Sequence, residues 1–379
     1  MPAVQSVLIV GGGSAGCATA TQLARAGVRV EIAEARSAVP VEGSGITLQG
    51  NALRVLRDVG VWDRLQAHGY AFDSVGMRAP DPAGTLVAEI PDVRTGGDDL
   101  PATLGIPRPT LARILLEHAA EAGADVRFGT FPTRLRQDDD GVDVTFGDGS
   151  ERRYDLVVGA DGVGSWTRRA LRIDSEPRGT GMGIWRVDVA RPADVFRTDL
   201  THGGRCYIAG YCPTGPDTMY AYLVEDVQDR RHLSPAEQIA VVRDLASSYH
   251  GPWDDVRAQL TDTTGVNYSL FEWHVVDGPW HRGRVVLAGD AAHSCPPTLA
   301  QGAAQALEDA AVLSELLVGA DRFDADLLAR YTARRLPRAR QVVEASVQIV
   351  QWMLDGVRPP VADVPALMHR IQTMVREPA

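Results

Sequence analysis

The segment that most constrains the fold is a glycine-rich turn near the N-terminus, Gly11-Gly12-Gly13-Ser14-Ala15-Gly16. It directly follows a β-branched apolar run, Ser6 to Val10, and it precedes a helix of small residues that ends at Gly27. A second apolar run then closes on Glu34, 18 positions after Gly16. This order of strand, turn, helix, strand and acid is typical of a dinucleotide-binding βαβ unit, where the acid follows at about 20 residues.

Each glycine of the turn has its own task in such a unit. Gly11 permits the tight turn, Gly13 lets the backbone approach a pyrophosphate, and Gly16 lets the helix pack close to the strand. The pyrophosphate then lies on the helix N-terminus, and the acid accepts hydrogen bonds from a ribose. FAD and NAD fit this pattern equally well, and a merely glycine-rich βα turn is the structural alternative. The predicted cofactor-binding residues of the unit are Gly11, Gly13, Ser14, Ala15, Gly16 and Glu34.

Length and charge narrow the class of protein. A chain of 379 residues is long enough for two or three domains with a large core. The net charge of -11 and the lack of a basic cluster argue against a nucleic-acid partner. All 38 basic residues are arginine, which excludes mechanisms that need a Walker lysine or a Schiff-base lysine.

The cysteines and the N-terminus indicate the compartment. The four cysteines have no metal-ligand spacing and are too few for a disulfide framework, so we expect reduced thiols and no metal site. The N-terminus lacks the basic region, apolar core and cleavage site of a signal peptide, and no stretch is as long as a membrane span. We therefore expect a cytoplasmic protein with no membrane partner; its oligomeric state is not predicted.

A second constraining stretch lies between Arg284 and Asp309. The run from Arg284 to Ala288 predicts a buried strand that ends at Gly289-Asp290. Pro296 and Pro297 then form a loop, and Gly302 starts a helix whose first turn holds small residues. Free N–H groups and a partial positive charge at that helix start suit an electron-rich ring edge or an oxyanion. A common strand, turn and helix without a ligand is the alternative.

Further segments also have sequences that suit the binding of a phosphate or a cofactor. The run from Asp155 to Gly159 predicts a buried parallel strand followed by Asp161-Gly162, and Ser165 with Arg168 can anchor either a phosphate or the loop itself. A glycine-rich turn around Gly45 feeds an amphipathic helix. Arg108 opens another helix, where its fork suits a diphosphate; a surface salt bridge is the alternative for this arginine.

The segments around Gly11, Asp161 and Asp290, in this order and at these separations, resemble the signatures of the single-component FAD-dependent aromatic hydroxylases. This is the group A flavoprotein monooxygenase family of para-hydroxybenzoate and salicylate hydroxylase. The resemblance implies that Asp290 binds the ribityl chain of FAD and that Pro297 lies by the reactive edge of the flavin. It implies further FAD contacts at Gly45, Arg108, Asp161, Gly302, Ala303 and Ala304. Some relatives have a histidine at the position of Thr47.

The resemblance also implies a fold. We expect an α/β protein in which a Rossmann-like FAD-binding domain with a parallel sheet is interleaved with an antiparallel-sheet substrate domain. The predicted bounds are 1–75, 100–173 and 276–320 for the FAD-binding domain and 76–99 and 174–275 for the substrate domain. A helical C-terminal segment, 321–379, follows, with a long kinked helix or two packed helices around Pro337.

Aromatic residues and arginines on the predicted antiparallel sheet are candidates for the substrate pocket. Tyr220 and Tyr222 share one face under the two-residue period of a strand. Packing within the sheet is the alternative role for each aromatic residue, and His274 and His293 are as consistent with structural hydrogen bonding as with a catalytic base. Arg186 or Arg205 is a candidate for binding a substrate carboxylate. The predicted pocket residues are Trp185, Arg186, Tyr207, Tyr220 and Tyr222.

The function that the resemblance implies is hydroxylation of a small aromatic or heteroaromatic ring. In the family, NADPH or NADH reduces FAD, and a flavin C4a-hydroperoxide made with O2 transfers one oxygen atom. A flavin-dependent reductase or dehydrogenase would keep every FAD motif and is the main alternative. A flavin halogenase is disfavoured because that chemistry uses a lysine, and a flavin-binding regulator or electron carrier would have little need for an aromatic pocket.

Overall fold

The computed structural model of the chain describes residues 2–230, 232–261 and 264–379. Its strands are β1 (Ser6–Val10), β2 (Arg29–Glu34), β3 (Gly45–Gln49), β4 (Tyr70–Phe72), β5 (Ser74–Arg78), β6 (Leu86–Pro91), β7 (Thr103–Pro107), β8 (Asp125–Phe128), β9 (Pro132–Gln137), β10 (Val142–Phe146), β11 (Glu151–Tyr154), β12 (Leu156–Gly159), β13 (Arg178–Ala190), β14 (Thr198–His202), β15 (Ile208–Pro213), β16 (Thr218–Asp226), β17 (Val266–Val275), β18 (His281–Arg282), β19 (Val285–Leu287) and β20 (His293–Ser294).

Its helices are α1 (Ser14–Arg25), α2 (Gly50–Val59), α3 (Trp62–His68), α4 (Arg108–Glu121), α5 (Trp166–Ala170), α6 (Pro235–Ala246), α7 (Pro252–Gln259), α8 (Gly302–Gly319), α9 (Ala325–Leu354) and α10 (Val364–Arg376). Two short 3-10 turns, Gly289–Ala291 and Pro297–Leu299, lie just before α8. Among the described residues, no helix is both long enough and apolar enough to cross a membrane.

A six-stranded sheet positions the predicted cofactor residues. Its strand order is β18-β19-β12-β1-β2-β8, and every pair is parallel except β18 with β19. Strand β1 is buried along its length, in a core cluster that includes residues of α1, α4 and α8 and of the strands β10 and β11. Val10 pairs with both Ala33 and Gly159, so the carboxyl ends of β1, β2 and β12 lie side by side. The loops after these strands form one edge of the sheet, where open α/β folds bind their ligands.

A second sheet has eight strands in the order β20-β17-β13-β16-β15-β14-β5-β6, and it is antiparallel except for the pair β14 and β5. The side chains of strand β13 point alternately to the two faces of the sheet. Trp185, Val187 and Val189 pack into one core with α6 and α7, whereas Ile184 packs on the other face with Val350 of α9. The face that carries Ile184 therefore turns toward the rest of the molecule and is the face available to a buried ligand.

Two three-stranded antiparallel sheets complete the strands, in the orders β3-β7-β4 and β11-β10-β9. Strand β3 connects the two large sheets. A Cβ atom on Gly45, its first residue, would lie 2.2 Å from Cδ1 of Tyr220 on β16. Glycine is required there because the backbone of β3 passes directly against the tyrosine ring.

The C-terminal segment contains two long helices. Helix α9 continues through Pro337 for 30 residues, so one long helix forms where the sequence left two packed helices open. Helix α10 is amphipathic, and its apolar residues Leu367, Ile371 and Val375 form a cluster with Leu299 of the Pro297–Leu299 turn. The α/β fold, with its parallel sheet, antiparallel sheet and C-terminal helices, agrees with the expectation; the predicted domain bounds remain a prediction.

Candidate functional site

The glycine turn and Glu34 meet at the end of β1. Gly11 has a φ of +106°, and a Cβ atom on it would lie 2.4 Å from the carbonyl oxygen of Ala160. The Glu34 carboxylate accepts the N–H of Gly12 at 2.8 Å, which holds the acid beside the turn. No heavy atom lies within 4 Å of a Cβ built on Gly13, so the turn is open on that side. Helix α1 has no side-chain cap, which leaves the N–H groups of its first turn available to a phosphate.

The carboxylate of Asp161 is held by residues of its own loop. One carboxylate oxygen accepts the hydroxyl of Ser165, and the other accepts the N–H and hydroxyl of Thr167 at 2.8 and 2.9 Å. Buried Arg168 donates to the carbonyls of Val163 and Ala291, so it anchors the loop, one of the two roles that the sequence left open. The structure thus gives Asp161 the task of shaping the loop after β12.

Asp290 projects its carboxylate into the cleft. Gly289, with a φ of +60°, starts the turn that presents it. The Asp290 side chain is exposed, and it has no hydrogen-bond or ion-pair partner among the residues that the structure describes. Desolvation by the surrounding protein raises the pKa of this carboxylate, although the side chain is accessible to solvent. An unpaired acid in this position suits the hydroxyl groups of a ribityl chain.

Two guanidinium groups face the same cleft. Arg108 donates Nε to the carbonyl of Gly45 at 3.3 Å and has no carboxylate within ion-pair distance in the described part of the chain. Arg186 on β13 donates to the hydroxyl of Ser269 at 2.8 Å and also lacks a carboxylate partner there. Burial lowers the pKa of Arg186 to about 10, and the nearby charge of Arg108 contributes to the shift. Two unpaired cations attract anionic groups to this space.

Tyr220 and Tyr222 stand beside Arg186 on the inner face of the antiparallel sheet. Their ring centroids are 5.5 Å apart. The Tyr220 hydroxyl lies 3.0 Å from Oγ1 of Thr47, which in turn lies 3.6 Å from Sγ of Cys212. Burial raises the pKa of Tyr220 to about 12 and raises the pKa of Tyr222 well above its usual value. Both phenols are therefore protonated near neutral pH and can donate hydrogen bonds.

The structure places the other pocket candidates elsewhere. Trp185 lies on the opposite face of β13, where its Nε1 donates to Glu225 at 2.8 Å. Tyr207 precedes β15, donates its hydroxyl to Asp226 at 2.7 Å, and lines a separate cavity of about 660 Å³. Arg205 forms a surface ion pair with Asp244 and is not available to a substrate in the cleft. Of the predicted pocket residues, Arg186, Tyr220 and Tyr222 are brought together and Tyr207 is not.

The proline loop and the start of α8 form the remaining wall. Pro297 is exposed, and Pro296 beside it is buried. Ala300 has a φ of +51°, a left-handed conformation that is rare for residues other than glycine, asparagine and aspartate. Gln301 precedes α8 without a side-chain cap to its first turn, so the N–H groups of Gly302, Ala303 and Ala304 have no such partner.

Neither histidine of this region acts as a base in the cleft. His274 is buried, and its ring nitrogen Nε2 lies 2.9 Å from the carbonyl oxygen of Asp290. Burial lowers the pKa of His274 to about 4, so this ring is neutral and donates to the carbonyl. Buried His293 contacts Asp309 at 2.7 Å and stacks near Trp280. Both support the turn that carries Asp290.

Sequence reasoning missed a buried polar network behind the cleft. Glu308 and Asp309 on α8 form ion pairs with Arg335 and Arg338 on α9 at 2.7 to 2.9 Å. Asn51 donates to Glu308 at 2.9 Å and thereby joins α2 to the network. Arg335 and Arg338 lie three residues apart in a long helix; that spacing on one face was the only signal in the sequence.

These features together fit FAD. The open turn at Gly13 can admit a pyrophosphate, the Glu34 carboxylate beside the turn can accept hydrogen bonds from a ribose, and Arg108 is a cation without a carboxylate partner in the described residues. Asp290 and the uncapped start of α8 can contact the ribityl chain and the flavin ring. The fold and the site therefore define a flavin-dependent oxidoreductase.

Comparison with known proteins gives the family. The family described as "FAD binding domain" matches residues 5–346. YetM of Bacillus subtilis (strain 168) is provisionally named an FAD-dependent monooxygenase. It is 33% identical to this chain over 356 residues, which cover 93% of this chain and 95% of YetM. The 6-hydroxynicotinate 3-monooxygenase of Bordetella bronchiseptica (strain ATCC BAA-588 / NCTC 13252 / RB50) is 30% identical over 361 residues, covering 90% of both chains. The chain belongs to this FAD-binding family and is a FAD-dependent monooxygenase.

A solved structure shows the same fold. The crystal structure of Klebsiella pneumoniae HpxO complexed with FAD and uric acid superposes with a TM-score of 0.82, with 98% of this chain and 92% of that chain covered. Its sequence identity of 22% makes this a likeness of fold. This chain and HpxO therefore share one fold.

Proposed function

We propose that the protein hydroxylates a small aromatic or heteroaromatic ring that carries a hydroxyl or amino group and an acidic substituent. NADPH or NADH is the reductant, and O2 is the oxygen donor. Arg186 is the observation that carries the substrate class. It is a partly buried cation on the inner face of the sheet, beside two phenols, and no carboxylate in the described part of the chain pairs with it.

Arg186 and the two tyrosines have complementary tasks in this proposal. FAD, when bound, supplies the two-electron reduction and the activation of O2. Arg186 binds the acidic substituent of the ring, since a guanidinium fork matches a carboxylate. Tyr222 is protonated at neutral pH and donates a hydrogen bond to a ring substituent, and the Tyr220 hydroxyl, also protonated, contacts the ring as a hydrogen-bond acceptor. Together they fix the ring in one orientation, which is the protein's main contribution to the choice of the hydroxylated carbon.

An apolar layer beside Tyr222 excludes water from the ring. Ile184, Val224 and Phe271 form a buried cluster with Val350 of α9, and Tyr222 packs against it. A dry wall of this kind strengthens the contacts of Arg186 and suppresses reactions with water. Helix α9 therefore contributes to the pocket although it carries none of the predicted site residues.

Thr47 fixes the orientation of the Tyr220 hydroxyl. Its Oγ1 lies within 3.0 Å of the Tyr220 hydroxyl and 3.6 Å of the Cys212 thiol. When Thr47 donates to the sulfur, Tyr220 donates to Thr47 and keeps a lone pair on its own oxygen. That lone pair can accept a hydrogen bond from a substrate hydroxyl. The position at which some relatives have a histidine thus retains a polar group in this chain.

Paired ring compounds test the substrate class. Each phenol, aniline or hydroxypyridine is assayed once as its carboxylic acid and once as the matching primary amide, by aerobic consumption of NADPH and of NADH. We expect the acids to stimulate consumption and to gain one oxygen atom by mass, and the amides to do neither. Equal stimulation and equal hydroxylation by acids and amides would contradict the role of Arg186.

A further inference from the structure

Glu308 and Asp309 are adjacent in α8, yet they hold two different segments. Asp309 accepts the N–H of Gly289 at 2.8 Å and contacts His293 at 2.7 Å. Glu308 accepts the side-chain amide of Asn51 at 2.9 Å. Both carboxylates are at most 1% exposed. Asp309 therefore holds the turn before α8, and Glu308 holds the start of α2.

The Asp309 contacts act on the residue that enters the cleft. Gly289 has a left-handed conformation, and the next residue is Asp290. Fixing the Gly289 N–H fixes the direction in which the chain leaves the turn, and with it the direction of the Asp290 carboxylate. His274 holds the same turn from the other side through the carbonyl of Asp290. The turn is thus held on both sides by buried groups outside the cleft.

The Glu308 contacts act on the start of α8 and the end of β3. Asn51 donates to Gln301, the residue before α8, at 3.0 Å, and Gln301 donates back to Asn51 at 3.1 Å. The same Gln301 amide donates to Gln49 at 2.5 Å. We call these three side-chain amides, of Asn51, Gln301 and Gln49, the amide ladder. The ladder connects Glu308 to the uncapped first turn of α8 and to the strand that begins at Gly45.

Two arginines balance the charge of the pair. Arg335 bonds Asp309 at 2.7 Å and Glu308 at 2.9 Å, and Arg338 bonds Glu308 at 2.7 Å. A buried ionic cluster of this kind gains little stability over apolar packing, because desolvation offsets the attraction between the charges. Its more specific effect is to impose one geometry on the segments that it joins.

We propose that Glu308 and Asp309 are positioning residues for the flavin. Asp309 sets the turn that directs Asp290 into the cleft, and Glu308 sets, through Asn51 and Gln301, the first turn of α8. The Asp309 contacts govern the affinity of the protein for FAD. The Glu308 contacts govern the stability of the reduced cofactor, because the helix start is the positive dipole end available to its negative charge.

Three variants separate positioning from general stability. Asn51→Ala cuts the amide ladder and leaves all ion pairs intact. Asp309→Ala releases the Gly289 turn, and the double variant Asp309→Ala/Arg335→Gln does so without leaving an unpaired arginine if the single variant fails to fold. Arg334→Gln is the matched control, since Arg334 neighbours Arg335 on α9 but pairs with Glu315 at the surface. The measurements are the FAD affinity of the apoprotein, the midpoint potential of bound FAD and the melting temperature without FAD.

The two sets of contacts predict different results. Asp309→Ala, or the double variant, should weaken FAD binding by roughly tenfold or more, the size expected for loss of a charge-assisted contact. Asn51→Ala should shift the midpoint potential of the fully loaded protein to a more negative value. The proposal is overturned if the folded variants match Arg334→Gln in both FAD affinity and midpoint potential and differ in melting temperature alone. These readouts require no substrate and do not depend on the proposed ring chemistry.

Discussion

Three charged side chains without charged partners are the residues that best indicate a ligand site. Arg108, Arg186 and Asp290 face one cleft, and none has an oppositely charged partner within the described residues. By contrast, the fully buried Arg335 contacts two carboxylates. A charged side chain that lines a cleft and has no partner in the protein marks a place where a ligand can supply one.

Replacing Arg186 tests the binding of the acidic group. Arg186→Met keeps much of the side-chain volume and removes the charge, so we expect KM for an acidic ring substrate to rise by about tenfold to hundredfold. KM for a neutral analogue should change little. Steady-state kinetics with both compounds give the comparison, and Arg205→Met, which removes a surface ion pair, is the control. An unchanged KM for the acid would remove Arg186 from the substrate site.

His274 predicts a pH dependence of folding stability. Its folded-state pKa is lowered by burial from 6.5 to about 4. As the pH falls below 6.5, the unfolded chain binds a proton that the folded chain does not, so stability is lost on acidification. At about 1.4 kcal/mol for each pH unit between these values, the loss reaches roughly 3 kcal/mol at pH 4.

Denaturant unfolding of FAD-free protein between pH 7 and pH 4 measures this loss. His274→Gln should flatten the decline, whereas His68→Gln, at an exposed position, should leave it as in the wild type. A decline of equal steepness in His274→Gln would show that other groups cause it.

The strand, turn and helix at the N-terminus form the element on which cofactor binding depends. A Cβ atom on Gly16 would lie 2.0 Å from the carbonyl oxygen of Gly11, so Gly16 is needed for packing. Gly13 is different because its Cβ would meet no protein atom. Within one motif, Gly16 is therefore required for packing, whereas Gly13 is available for binding.

Gly13→Ala should therefore leave the fold intact and impair the cofactor site. We expect the melting temperature of the FAD-free protein to stay within a degree or so of the wild type and FAD affinity to fall by roughly tenfold or more. Thermal denaturation and fluorescence titration with FAD measure the two. Gly179→Ala in β13 is the control, since a Cβ there also meets no protein atom. Wild-type FAD affinity in Gly13→Ala would contradict the assigned position of the pyrophosphate.

Elements with a strong local pattern could be predicted from the sequence. Strand β1 has the predicted bounds, and α6 begins at Pro235 after the Ser234 cap, as its capping pattern indicates. The small sheets and the unbroken course of α9 through Pro337 could not be predicted. Their formation depends on neighbours distant in sequence, which override local preference.

The residues of the candidate site were likewise predictable only where a local motif defines them. Backbone motifs predicted the glycine turn and Asp290 because a turn of fixed shape demands particular residues. Tyr207 was assigned to the pocket as an aromatic residue of the predicted antiparallel sheet, but β15 begins only at Ile208, so the two-residue period of the strand gives no information about position 207. The network of Glu308, Asp309 and Arg335 joins segments far apart in the chain, and only the fold reveals it.

The whole molecule brings its two large sheets together around one cleft. The parallel sheet supplies the loops that carry Gly13 and Asp290, and the antiparallel sheet supplies Arg186 and Tyr222. Strand β3 passes between them at Gly45, and α8 and α9 close the cleft from behind. A cofactor site and a ring pocket that share a wall are what a hydroxylating flavoenzyme requires, because the oxygen must pass directly from one to the other.

We propose that this cleft inserts one atom of O2 into an acidic ring compound. Product mass from a reaction under isotopically labelled oxygen gas tests this proposal, with the ring compound that best stimulates NADPH or NADH consumption. We expect a product that gains one labelled oxygen atom in wild-type protein and much less product in Arg186→Met. Stimulated consumption with an oxidised product that contains no labelled oxygen would rule out hydroxylation and indicate a flavin-dependent dehydrogenase.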